Sequence, residues 1–149
     1  MIVRLQRLGH RVRVEATAEE RNCAAYSDGE VRGFFHEHPC RSLYRSLIEV
    51  QSKKSVILVA LSRIEMSDYE TAAALRKLLS RPANGKVVQL TPKIGKYRNV
   101  LFTDALFITT QNGAVVTSID AKPVGRTRDR LLLYSVLTSA RAVLSSPSP

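Results

Sequence analysis

A chain of 149 residues with 44% hydrophobic content is long enough to bury one core, so a single domain over 1–144 is expected, followed by a short tail. Lysine and arginine number 23 against 13 acids, and the formal charge of +10 draws the chain toward polyanions such as nucleic acid, anionic lipid head groups or acidic envelope polymers; because the basic residues are scattered, solubility explains them equally well. No window reaches the ~18 apolar residues of a membrane span, and Arg4, Arg7, Arg11 and Arg13 interrupt the N-terminus too often for a signal-peptide core, so the expectation is a soluble chain or an ectodomain whose anchor lies outside this sequence.

The alternation in RVRVEATA, 11–18, predicts a strand with one apolar face and its arginines in solvent. From Ala24 to Glu37 the apolar positions Val31, Phe34 and Phe35 suit a helix, which Gly29 and Gly33 weaken and Pro39 ends. RSLYRSLIEV suits helix or strand; we read a strand, because the β-branched run SVILVALSRIEM follows it across the polar link QSKK and completes an antiparallel hairpin. Ser67-Asp68-Tyr69-Glu70 has the spacing of a capping box, with Ser67 as the cap of a helix running to about Ser80 that buries Leu75, Leu78 and Leu79. Pro82 and Asn84-Gly85 stop it.

KVVQL then reads as a short strand, and TPKIGKYRN, 91–99, as a loop with three basic side chains around Tyr97. In LFTDALFITTQNGAVVTSIDA the Asn112-Gly113 pair predicts a two-residue hairpin turn. RTRDRLLLYSVLTSARAVL, 126–144, reads as a final helix capped by Thr127, and SSPSP, 145–149, as a disordered tail. An order dominated by hairpins implies an α+β fold, with a mainly antiparallel sheet and helices packed on one face; a ferredoxin-like arrangement is the nearest common topology.

FFHEHPCRSL concentrates His36, Glu37, His38 and Cys40, which raises the question of a metal site. The remaining histidine is His10 and the remaining cysteine Cys23, so a four-ligand site would need a distant meeting, and no metal or cofactor is read here. Cys40 beside a histidine is the sole nucleophile candidate, without a nucleophile elbow, a phosphate-binding glycine loop or a dinucleotide fingerprint, so no catalytic residue is assigned. Lys93, Lys96, Tyr97 and Arg98, joined by Arg126, Arg128 and Arg130, could hold phosphates while Tyr97 stacks a base; equally, Tyr97 could anchor a solvated loop to the core. Cys23 and Cys40 flank the first predicted helix. A bridge would close a loop of about 17 residues and contribute roughly 3 kcal/mol; two buried thiols fit the spacing as well.

NCAAYSDGEVRGFFHEHPCRSLYRSLIEV, with VILVALSRIEM, ANGKVVQLTP, LFTDALFITTQNGAVV and AKPVGR, resembles a group of uncharacterised actinobacterial proteins over about residues 12–126. The most specific element is HPCRSL with the upstream Cys23. The group commonly carries a membrane segment and linker before this domain, which implies an extracytoplasmic place and oxidised Cys23 and Cys40. It implies no activity. This chain departs from the group's pattern by lacking the membrane segment.

Two functional readings follow. The first is a noncatalytic extracytoplasmic interaction domain, clipped by Cys23–Cys40, whose basic surface meets an acidic envelope component or a partner protein. The second is a cytoplasmic nucleic-acid-binding domain using the Tyr97 loop. Exposed strand edges are also compatible with a homodimer.

Overall fold

The computed structural model describes residues 2–52, 55–102, 105–124, 133 and 135–139. Among them five strands, β1 (Arg11–Glu20), β2 (Ser42–Ser52), β3 (Ser55–Glu65), β4 (Leu106–Asn112) and β5 (Val115–Val124), form one sheet in the order β1-β2-β3-β5-β4, antiparallel at every junction. Helices α1 (Ile2–Arg7), α2 (Gly29–Glu37) and α3 (Tyr69–Leu79) accompany it, with further helical residues at 133 and 135–139. The fold is therefore α+β, with the central hairpin formed as expected. A ferredoxin-like arrangement is not: its split βαβ units insert another strand between the two that a helix connects, whereas here β1 and β2, joined through α2, are direct antiparallel neighbours.

Alternation along β2 and β3 separates two buried faces. On the first, Leu43, Ile64 and Val116 pack against Val31 and Phe35 of α2 and Leu75 and Leu79 of α3, while Leu47 and Leu58 pack under Leu90, Tyr97 and Phe102. On the second, Ile48, Val50, Ile57, Val59 and Ile119 receive Leu5 of α1 with Leu133 and Val136. Helices thus lie on both faces rather than one. The runs LIEV and VILV are apolar at successive positions because both of their sides are covered, and fully burying a side chain such as Leu47 or Leu58 contributes about 2 kcal/mol.

The expected single apolar face of β1 does not form. A bulge shifts the register between Val14 and Ala16. Val12 packs on the second face, Ala16 and Ala18 on the first, and Val14 is left 49% exposed. One extra residue reverses the facing of everything beyond it, and here it turns the Glu15 side chain inward, to 8% exposure.

The helix expected from Ala24 divides. A 3₁₀ turn covers Ala24–Tyr26, the backbone extends through Ser27 and Asp28, and α2 begins at Gly29. Ser27 bridges Val87, and this isolated bridge is all that forms of the strand expected over KVVQL. Gly29 and Gly85, with φ of +58° and +89°, meet across this seam; a Cβ on Gly29 would stand 2.8 Å from the Asn84 carbonyl oxygen, and one on Gly85 2.4 Å from that of Asp28. The cap of α3 falls one residue later than expected: Asp68, not Ser67, accepts from the Thr71 amide at 2.7 Å, and the Thr71 hydroxyl donates to the same carboxylate at 2.6 Å. The last hairpin likewise turns one residue late, at Gly113 and Ala114, with Asn112 paired to Val115. Of the expected terminal helix, 133 and 135–139 are described and helical; its Thr127 cap and the 145–149 tail lie outside the described residues.

Candidate functional site

The first sheet face carries both groups of residues that the sequence singles out, one at each end. At the α2 end Cys23 and Cys40 form a disulfide, with Cα atoms 6.1 Å apart. Cys23 precedes the 3₁₀ turn and is 2% exposed, and Cys40 follows α2, so the bond clips the helix to the start of β2. The Ser27 hydroxyl donates to the Cys23 carbonyl at 2.7 Å, and the Arg41 amide to the Glu65 carbonyl at 2.7 Å, which fixes both arms of the clip. Cys40 is consumed by the disulfide, His36 and His38 are exposed, and the His38 ring rests 4.9 Å from that of Phe34. Among the described residues no three metal-ligating side chains gather.

At the other end, 3₁₀ turns over Thr91–Lys93 and Gly95–Tyr97 fold the expected basic loop onto the sheet. Tyr97 is buried in the core with Leu90 and Phe102, and its hydroxyl donates to Glu49 of β2. The Lys96 ammonium lies 3.1 Å from Glu49 and 3.2 Å from Glu15, and Arg13 adds a contact of 3.8 Å to Glu15. Of the two roles open to Tyr97, the ring takes the anchoring one, packed with Leu47 and Leu58, and the Lys96 charge beside it is paired with two carboxylates. Arg98 is exposed. The backbone of Lys93 lies in the first turn, while Arg126, Arg128 and Arg130 fall outside the described residues.

This cluster sets its own protonation. Burial pushes the Glu49 carboxyl up, but the hydrogen bonds from Tyr97 and Lys96 outweigh it and hold the group below the usual carboxylate range. Burial, then the Glu49 bond, pushes the Tyr97 phenol up to about 12. The bonds to Glu49 and Glu15 raise Lys96. The phenol and ammonium thus stay protonated and Glu49 ionised across neutral pH, each satisfied by the others.

Three residues that sequence reasoning passed over matter here: Glu15, Glu49 and Arg45. Leu43, Arg45, Leu47 and Glu49 share one face of β2, and charges in such a row are the signal that could have found two of them. Arg45 is 4% exposed, donates to the Val88 carbonyl at 2.9 Å and lies 4.5 Å over the Tyr26 ring; burial lowers its pKa, opposed by Glu20 and Tyr26. Beside the disulfide, Glu19, Glu20, Arg21, Ser42, Leu43, Tyr44 and Arg63 line an open cleft of about 590 Å³. Arg21, Arg32, Arg63, Arg76, Arg81 and Arg98 are exposed and take part in no ion pair among the described residues.

Compared with protein-family models, with curated proteins and with solved structures, the chain matches none.

Proposed function

We propose that this chain is an extracytoplasmic interaction domain that works by binding rather than catalysis, its exposed arginines meeting an acidic envelope component or the acidic surface of a partner protein. The observation that carries this reading is the Cys23–Cys40 disulfide, closed inside the packed lobe of α2 and α3. Reducing compartments keep such thiol pairs open, and oxidising ones close them. Support for a polyanionic partner comes from the formal charge of +10 and from the exposed arginines that pair with no carboxylate among the described residues. The cleft beside the disulfide sets Arg21 and Arg63 among Glu19 and Glu20, a lining of mixed charge that suits the polar surface of a partner protein, with Tyr44 as an amphipathic wall. Among the described residues no helix is long and apolar enough to cross a membrane.

The test is intact mass after thiol blocking under denaturing conditions, with and without prior reduction, on protein quenched directly from its native cells. Cysteines that accept the blocking reagent only after reduction support the reading. Cysteines blocked at once, before reduction, overturn it.

A further inference from the structure

The two edges of the sheet differ in a way that points to a partner. β1 carries Arg11, Arg13, Glu15, Glu19 and Glu20 and is bent by the bulge at Glu15, two devices that keep a strand edge from pairing with another chain. β4, Leu-Phe-Ile-Thr-Thr-Gln-Asn, has no charge, no proline and no break in register. The closing pair of its hairpin is Asn112 with Val115 across a two-residue turn, which makes it a hydrogen-bonded pair. Alternation then turns the backbone groups of Thr110, Ile108 and Leu106 toward β5, and directs those of Gln111, Thr109 and Phe107 outward. Among the described residues no backbone partner meets those outward groups.

We propose that β4 is a homodimer interface, in which two copies pair their β4 strands antiparallel about a two-fold axis at Thr109. This register opposes Thr109 to itself and Phe107 to the partner's Gln111, so each outward amide and carbonyl finds its counterpart and the seven-residue edge closes on itself. The side chains agree with it. Gln111 donates to the Tyr69 carbonyl at 3.1 Å, which places the first residue of α3 beside one end of the edge, and Phe107 occupies the other end of the same face. Tyr69 is 64% exposed and Phe107 37%. The two-fold axis brings each Phe107 onto the partner's Tyr69 and covers both aromatics twice. Charge favours this edge for a second copy: chains of +10 repel, and β4 is the edge strand on which no like charges oppose. The dimer is independent of compartment and of the proposed polyanion partner.

Sedimentation of the full chain across a concentration series is expected to show a reversible dimer that tightens as salt screens the repulsion, the opposite of polyanion bridging, which salt dissolves. Amide exchange should protect Phe107, Thr109 and Gln111 at high concentration and release them on dilution. Thr109→Pro removes an outward amide without touching the β5 ladder, and the two central hydrogen bonds it deletes correspond to about a hundredfold weaker association. Tyr69→Ala, on an exposed helix end that the fold does not need, should weaken the dimer by at least about tenfold, and decides the matter should the proline variant fail to fold. Val14→Lys on the opposite edge should change nothing. A wild-type chain that is monomeric at every concentration overturns the proposal, as does a dimer that Tyr69→Ala leaves unchanged or Val14→Lys disrupts.

Discussion

At one end of the first sheet face two helices and a covalent bond close the core; at the other, irregular chain does the same with one tyrosine and a few charges. Both covers bury leucines of β2 and β3, Leu43 with Ile64 under α2 and α3, Leu47 with Leu58 under the Tyr97 loop. The helical cover depends on the redox state of Cys23 and Cys40 and on no titratable contact at the disulfide itself. The loop depends on the ionisation of Glu49, Lys96 and Tyr97 and on no covalent link. Two neighbouring halves of one core thus respond to different chemistry: reduction addresses one, extremes of pH the other.

The sharpest way to break this division is Tyr97→Ala, which leaves a cavity beneath the loop and should cost about 4 kcal/mol. Amide exchange is expected to rise across 90–102 and to stay low in α2; equal loosening of both would show a single cooperative unit. Replacing Cys23 and Cys40 together by serine comes next, at about 3 kcal/mol from the restored freedom of the unfolded chain, and denaturant unfolding with exchange mapping should place the local change over 23–40 and spare the loop.

The smallest effect is the pH profile. Glu49 is held low when folded, so its contribution is present above the ordinary carboxylate range and lost as pH falls through its folded value. Tyr97 is pushed up to about 12, so its contribution is complete below the ordinary tyrosine value and lost as pH rises through the folded one. Thermal unfolding should therefore lose its acid limb of this effect in Glu49→Gln and its alkaline limb in Tyr97→Phe, and neither limb should move with reductant.

Sequence made the regular elements legible and the corrections of register illegible. The central hairpin, α3 and the last hairpin announce themselves through β-branched runs, leucine spacing and turn residues, because each is stabilised by neighbours close in the chain. The bulge at Glu15 leaves no such trace: RVRVEATA alternates smoothly across it, and only pairing with β2 reveals that Val12 and Ala16 face opposite ways. The same distance hid the strand order, the bridge that takes Val87 out of a strand, and α1, whose Leu5 is fully buried although arginines surround it in sequence. In the candidate site the spacing of Cys23 and Cys40 allows a bridge or two buried thiols, and the structure forms the bridge, while Tyr97 stands out in sequence with its anchoring role open. Glu49 and Glu15, which decide that role, lie some 50 and 80 residues away along the chain, beyond any local pattern.

The seam where Gly29 meets Gly85 carries an evolutionary consequence. Each glycine is barred from a side chain by the other segment's main chain, which no substitution there can trim away. Neither position can drift while its counterpart compensates, so chains that share this fold should hold or surrender the two together. Among homologous sequences that paired glycine, taken with the two cysteines, should outlast the arginine surface as the mark of common descent.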